Sequence, residues 1–219
     1  MRKRILTCEI APSSKLNISE LSGRYGVSLG AVREALSSLE GEGLVTLKDK
    51  RGYHTAGMSL DELTELTQAR VEIEASCMRI AIVEGDINWE SRVVAALHKL
   101  LAVSRIVKGE SNHMNEQWSA AHGEFHAALV SGCSNAWLLR MRRTLFEQSE
   151  RYRRLSIPVD QEHRNVDGEH RAIADAALER DVDKAVLLLG EHFKKTLSII
   201  TLSSSRFGAR DVKAEVATT

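Results

Sequence analysis

Hydrophobic residues recur along the chain in two patterns, which divide it into an N-terminal and a C-terminal region. Residues 1–56 mix short helical segments with short stretches in which apolar and polar residues alternate. Residues 57–203 show nearly uninterrupted helical periodicity, whereas residues 204–219 are polar, lack an apolar face and are predicted to be disordered. The pattern predicts a mainly α protein with one mixed domain and one all-helical domain.

The centre of the N-terminal region predicts two helices that meet at a tight turn. The first, residues 19–25, is followed by Gly26, and glycine commonly terminates helices. Ser28 is a good N-cap for the second helix, whose apolar residues recur every three or four positions. This arrangement predicts a helix-turn-helix, and we expect Ser28 and Arg33 to contact DNA.

A β-hairpin is predicted directly after the second helix. Residues 44–47 alternate like a strand, residues 48–52 form a basic turn, and residues 53–55 can return as a second strand. Such a hairpin is typical of a wing that lies along DNA. The DNA-binding residues expected at its tip are Lys50, Arg51 and Gly52.

This region resembles the winged helix-turn-helix of GntR-family bacterial regulators. The motifs that carry the resemblance are Val27-Ser28, Val32-Arg-Glu-Ala-Leu36, Glu42-Gly-Leu-Val45 and Arg51-Gly52. The chain departs from the family at residues 29–31, where Leu-Gly-Ala replaces the usual Arg-Thr-Pro, so a typical operator sequence does not transfer to it. The resemblance also implies a longer first helix than residues 2–10 provide. Either the chain starts upstream of Met1 or this helix is unusually short.

Charge differs between the two regions, although the whole chain has a formal net charge of zero. Residues 1–56 contain nine Lys and Arg against six Asp and Glu, a net charge of +3, and the remainder carries −3. The smaller region is therefore the basic one, as a nucleic-acid-binding domain requires.

The expected compartment is the cytoplasm. The three cysteines, Cys8, Cys77 and Cys133, lack metal-ligand spacing and are expected to be reduced thiols. No apolar run approaches the roughly 18 residues of a membrane span. The basic start is not followed by the apolar segment of a signal peptide.

Six helices are predicted in the C-terminal region. They cover residues 60–84, 88–108, 113–131, 135–155, 162–179 and the stretch from Asp181 to about residue 203. Ser59 starts a capping box for the first, and Asp181 can cap the last. The prediction is a six-helix bundle large enough to bury its own core.

Four histidines fall on three of these helices. His122 and His126 are four residues apart and therefore share a helix face, while His170 and His192 lie on the fifth and sixth helices. Imidazoles that converge inside a helical bundle can bind Zn, Cu, Fe or Ni. Histidines that merely belong to the apolar core would show the same spacing. Spacing alone also does not tell whether His170 and His192 lie beside His122 and His126.

The C-terminal region resembles the FCD ligand-binding domain found in the FadR-type branch of the family. The motifs that carry the resemblance are Phe125-His126, Gly132, Asn135, Glu169-His-Arg-Ala-Ile173, Arg180-Asp181 and Glu191-His192. The resemblance implies one divalent metal ion per chain, bound by His122, His126, His170 and His192. His122 stands where the family commonly has Asp. An all-nitrogen site favours Zn or Ni over Mn or Mg, and its metal binding is expected to weaken as the pH falls toward about 6.

Residues 122–133 and Arg151-Tyr-Arg153 also resemble the subgroup that contains the carbon-starvation-induced regulator of glutarate and 4-aminobutyrate catabolism. The resemblance implies a repressor of operator DNA that a small carboxylate, such as the dicarboxylate glutarate, releases. A homodimer is expected because one winged domain covers only one half-site of the operator. Arg70, Arg142 and Arg153 are the candidates for binding the far end of the effector. These arginines could instead pair with Glu74 or Glu147, or face solvent.

Two other functions are compatible with a histidine cluster in a helical domain. A metallohydrolase of the zincin type needs Glu directly after the first His, but Gly123 follows His122, and no enzymatic activity is expected. In a metal-responsive regulator the metal itself would be the signal. This function and the carboxylate-released repressor differ in whether DNA binding responds to chelation of the metal or to a carboxylate added to the metal-loaded protein.

Overall fold

The computed structural model describes residues 1–107, 110–156 and 164–206. The N-terminal elements are α1 (Arg2–Leu6), α2 (Ile18–Tyr25), α3 (Leu29–Gly41), β1 (Val45–Lys48) and β2 (Gly52–Thr55). The C-terminal elements are α4 (Leu60–Glu84), α5 (Ile87–Leu101), β3 (Ile106–Val107), β4 (Glu110–Met114), α6 (Glu116–Leu129), α7 (Ala136–Ser156), α8 (Val166–Leu178) and α9 (Val182–Arg206). In these residues, no helix is both long and apolar enough to cross a membrane.

The N-terminal region forms the predicted winged helix-turn-helix. Its helices pack on a small core that includes Ile5, Leu21 and Leu36, and β1 pairs antiparallel with β2. The predicted helix over residues 2–10 was too long, because the chain leaves α1 after Leu6. Cys8 has a φ of 58°, a left-handed conformation that cannot continue a right-handed helix.

The C-terminal region contains all six predicted helices around a large apolar core, with a smaller cluster formed by Leu63, Tyr152 and Ile200. The fully buried members of the large core include Met78, Trp89, Phe125 and Ile173. The longest predicted helix, residues 60–84, has the bounds observed for α4, and the hydroxyl of Ser59 accepts a hydrogen bond from the backbone N–H of Glu62, 3.1 Å away.

The helical region also contains one short hairpin that was not predicted. Strands β3 and β4 pair antiparallel between α5 and α6. The predicted helices over residues 88–108 and 113–131 are correspondingly shorter. Ile106 and Val107 are β-branched and favour a strand locally. The predicted tail starts too early as well, since α9 continues to Arg206 and residues 207–219 lie outside the described residues.

Helix α7 connects the two regions. The side-chain amide of Gln148 donates to the carbonyl of Glu42, which caps the end of α3, over 2.6 Å. The buried guanidinium of Arg151 donates to the carbonyls of Ala56 and Gly57, in the segment between the regions. One helix of the C-terminal region therefore holds the end of α3 and the connecting segment directly.

Candidate DNA interface and histidine cluster

Helix α3 presents the predicted recognition surface. Gly26 ends α2 with a φ of 64°, and the hydroxyl of Ser28 accepts a hydrogen bond from the N–H of Ala31, 3.2 Å away, which starts α3. Val32 is buried, whereas Ser28 and Arg33 are exposed at the first turns of the helix. The predicted residues therefore lie on the open face of α3, where a major groove could reach them.

The wing places its predicted residues at the tip of the hairpin. Lys50 and Gly52 have φ values of 56° and 79°, so the chain reverses there through left-handed conformations. Lys50, Arg51 and Gly52 are all exposed. A basic tip of this kind can follow a phosphate backbone.

The four histidines converge in the C-terminal region. Each offers a ring nitrogen, and these four atoms all lie within 4.8 Å of one another. The rings come from α6, α8 and α9 and are buried. The Nε2 atoms of His122 and His126 are 3.1 Å apart. Helix α6, which α7 separates from α8 and α9 in the sequence, thus meets them in a single group of nitrogen donors.

Most of the other nitrogens in the cluster lack partners. The Nδ1 atoms of His122 and His126 and both ring nitrogens of His170 have no hydrogen-bond partner among the residues that the structure describes. A buried polar group without a partner costs about 1–3 kcal/mol. For His170, which has no partner on either ring nitrogen, a divalent cation within the cluster would take up the unprotonated one. The donor set therefore fits a metal ion.

Burial keeps the cluster neutral. It lowers the pKa of His122 and His126 well below the usual value, and neighbouring cationic groups lower it further. Burial also lowers the pKa of His170 to about 2 and that of His192 to about 4. Neutral imidazole is the form that binds metal, so the cluster is ready for an ion at neutral pH.

Two of the three predicted effector-binding arginines share one carboxylate. The Nε of Arg70 lies 3.3 Å from one oxygen of Glu74, and the Nε of Arg142 lies 3.1 Å from the other. All three side chains are buried. Arg70 and Arg142 therefore do pair with Glu74, as the alternative interpretation had it. Because one carboxylate balances only one of the two guanidinium groups, one positive charge of this trio remains.

Both arginines also keep an unused donor. The Nη2 atoms of Arg70 and Arg142 have no hydrogen-bond partner within the described parts of the chain. Ser149 accepts a hydrogen bond from the Nη1 of Arg70 over 2.8 Å, and the ring of Phe193 packs under that guanidinium at 3.9 Å. Arg70 is thus held in place with one N–H group left over.

Arg153 is held differently. Its Nε donates to Glu150 over 2.8 Å, and its Nη2 donates to Ser119 over 2.8 Å. Together with Arg70, His122 and His192 it lines a cavity of about 30 Å³. The structure thus brings Arg70 and Arg153 to one cavity with two of the histidines.

Sequence reasoning missed several residues of this site. Trp118 stacks on His122 with ring centroids 4.8 Å apart, and it stands one helical turn before that residue, which is a usable signal. Glu169 contacts His192, and the pairing depends on how α8 packs against α9. Periodicity along one helix carries no information about that packing.

The metallohydrolase alternative would need an acidic side chain beside the histidine cluster. Glu124, the acidic residue nearest in sequence after His122, is exposed and pairs with Lys99 at 2.6 Å. It therefore faces away from the histidine cluster.

The fold, with an exposed recognition helix, a basic wing and a helical domain, is that of a DNA-binding transcriptional regulator rather than an enzyme. The profile of gntR-family bacterial regulatory proteins matches residues 1–54, and the FCD domain profile matches residues 65–195. The chain belongs to the GntR family and carries an FCD domain. Regulators of this family bind operator DNA, typically as dimers with small-molecule effectors, and FCD domains can bind metal.

Known proteins resemble the chain over most of its length. It is 39% identical over 200 residues to the uncharacterized HTH-type transcriptional regulator BphR of Paraburkholderia xenovorans (strain LB400), covering 91% of this chain and 82% of that protein. It is 35% identical over 205 residues to the HTH-type transcriptional repressor GlaR of Escherichia coli (strain K12), covering 91% and 92%. The fold is similar to that of E. coli McbR/YncC, with a TM-score of 0.75 and 18% identity over 92% and 93% of the two chains.

Proposed function

We propose that this regulator is a homodimeric repressor whose hold on operator DNA is released by a small dicarboxylate bound beside a divalent metal ion. The observation that carries the proposal is the position of Arg70, buried with an unused N–H group, beside a cavity that His122 and His192 also line. A metal site and a buried cation then flank a single space.

The metal site would consist of His122, His126, His170 and His192. Four neutral nitrogen donors favour zinc or nickel over harder ions. When bound, the ion supplies a Lewis acid that attracts a carboxylate oxygen. This chain's own residues must bind the remainder of the effector.

The arginines give the site its preference for an anion. Glu74 neutralises only one of the two guanidinium groups that contact it. Burial lowers the pKa of Arg70, which Glu74 partly opposes, so an additional carboxylate next to Arg70 would stabilise its charged form. The second carboxylate of a C4–C5 dicarboxylate such as glutarate fits this role, with Arg153 on the same cavity wall.

Effector binding requires the helices to move. The cavity of about 30 Å³ has room for only a few water molecules. A dicarboxylate is larger, so α4, α7 and α9 would separate to admit it. Because α7 also holds Glu42 at the end of α3 through Gln148, this movement would change how the winged domains are placed. The effector thereby favours an arrangement with lower affinity for DNA.

A titration with glutarate tests the proposal. Fluorescence anisotropy would follow the zinc-loaded protein on an operator selected from a random DNA library, with glutarate and then succinate added. We expect glutarate to dissociate the complex, and the monocarboxylate butyrate to act much more weakly. A DNA affinity that no small carboxylate changes would refute the effector part of the proposal.

A metal-responsive regulator is the second candidate, and one observation favours it. Four histidine donors can complete the tetrahedral shell of zinc without an added ligand, as in closed structural sites. In that case chelation alone would change operator affinity, and carboxylates added to the zinc-loaded protein would have no effect. The same anisotropy titration, repeated with and without chelator, separates the two candidates.

A further inference from the structure

Glu169 touches the histidine cluster from outside it. The residue directly precedes His170 on α8, yet its carboxylate contacts His192 on α9. Its Oε2 lies 2.7 Å from the Nδ1 of His192, and both side chains are largely buried. His170 is thus itself a member of the cluster, whereas Glu169 contacts the cluster only through His192.

The contact determines which nitrogen of His192 carries the proton. Ionised carboxylates only accept hydrogen bonds, so the Nδ1 of His192 must donate to Glu169. The Nη2 of Arg164 also lies 3.1 Å from this Nδ1, but it donates over shorter distances to Glu169 at 2.6 Å and to the carbonyl of His192 at 2.7 Å. The closer contact with Glu169 therefore sets the tautomer, and the Nε2 of His192 is left unprotonated.

Glu169 is itself fixed in place and charged. Arg164 binds it with two nitrogens, its Nε lying 2.9 Å from Oε1, and Lys195 adds a third cationic contact at 3.1 Å. These two cationic side chains contact both carboxylate oxygens, so they stabilise the ionised, hydrogen-bond-accepting form and leave the group little freedom to rotate.

We propose that Glu169 is a positioning residue of the metal centre, holding His192 in the Nδ1–H form so that its Nε2 is presented to the ion. The inference rests on the proposed metal site and extends it to a residue that does not itself bind metal. Carboxylates in this position orient the ligand and increase its basicity.

Zinc affinity measured in competition with a chromophoric chelator at pH 7 tests this role. The variant is Glu169→Gln, which keeps the shape but brings an amide N–H₂ that can donate to Nδ1 and so favour the wrong tautomer. The matched control is Glu191→Gln, which makes the same charge change at an exposed position next to His192. We expect zinc affinity about 10–100-fold weaker for Glu169→Gln and unchanged for Glu191→Gln.

A second measurement reads the tautomer without any substitution. Long-range ¹H–¹⁵N correlation spectra of the zinc-free protein, labelled at histidine, should show the proton of His192 on Nδ1. A proton on Nε2 in the wild-type protein would overturn the inference, even if the Gln variant did not fold. Equal zinc affinities of the two Gln variants would overturn it too. Wild-type protein that bound no zinc would instead refute the proposed metal site on which the inference rests.

Discussion

The Nε2 atoms of His122 and His126 lie 3.1 Å apart inside the helical domain. Two nitrogens at this distance either share one proton or point toward one cation. The unpartnered nitrogens of His170 next to them favour a cation.

Removing one histidine from the cluster should abolish tight zinc binding. We expect His126→Ala and His170→Ala each to lose the stoichiometric zinc seen by calorimetry with the wild-type protein, because three donors no longer enclose the ion. His98→Ala, on the exposed face of α5, is the matched control and should bind normally. If both cluster variants kept zinc and full carboxylate affinity, the histidines would be core residues only.

The zinc-free protein should lose stability in mild acid. In the unfolded chain a histidine has a pKa of about 6.5, whereas in the folded protein the pKa of His192 is about 4 and that of His170 about 2. Below pH 6.5 the unfolded state binds protons that the folded state excludes, so the free energy of unfolding falls with pH until the folded-state values are reached. Thermal melts between pH 7.5 and 5 should show a decreasing Tm.

The same pKa shifts change the sequence-based expectation for the metal. That expectation placed weakened binding near pH 6, the range of exposed imidazoles. In the folded site the four rings resist protonation there, so zinc should be retained to lower pH. If the Tm of the zinc-free protein stayed constant between pH 7.5 and 5, the lowered histidine pKa values on which both expectations depend would be contradicted.

Arg70 should matter for the effector more than for zinc. We expect Arg70→Met to weaken glutarate binding strongly, since it removes the buried N–H group beside the cavity. Arg143→Met, at an exposed position on α7, should bind glutarate like the wild type. Glu74 keeps Arg142 as a partner in the Arg70 variant, which limits the loss of stability. Isothermal calorimetry on zinc-loaded proteins would compare them, and equal affinities would remove Arg70 from the site.

The recognition helix and the wing should contribute differently to DNA binding. Arg33→Ala should cost about 1–3 kcal/mol and relax the preference at one base pair, if the side chain reads a base edge. Lys50→Ala should instead weaken all sequences alike and reduce the salt dependence. Gel shifts against the selected operator and unrelated DNA would distinguish the two. Wild-type operator affinity for Arg33→Ala would exclude that residue from the contact.

The protein should be a homodimer in solution. One winged domain covers a single half-site, and a palindromic operator needs two. Light scattering at micromolar concentration should report about twice the chain mass of 24.3 kDa. A monomer that nonetheless bound a palindrome tightly would contradict the proposed mechanism.

Local sequence determined the elements whose signals lie within one turn or one helix. Ser28 and Ser59 cap α3 and α4 as predicted, and the bounds of α4 match because its periodicity ends at Gly85. The wing is also correct, since a basic turn between two alternating segments is a local signal. Hairpin β3–β4 escaped prediction because its short strands depend on pairing with each other rather than on a long periodic run.

Tertiary structure alone decided how the site is assembled. Spacing placed His122 beside His126, but only the packing of α6 against α8 and α9 brought His170 and His192 to them. The contact of Glu169 with His192 likewise joins two helices whose relative rotation is not encoded in either one. Periodicity specifies which face of a helix is buried, whereas the partner that covers this face is selected by the complementarity of the whole core.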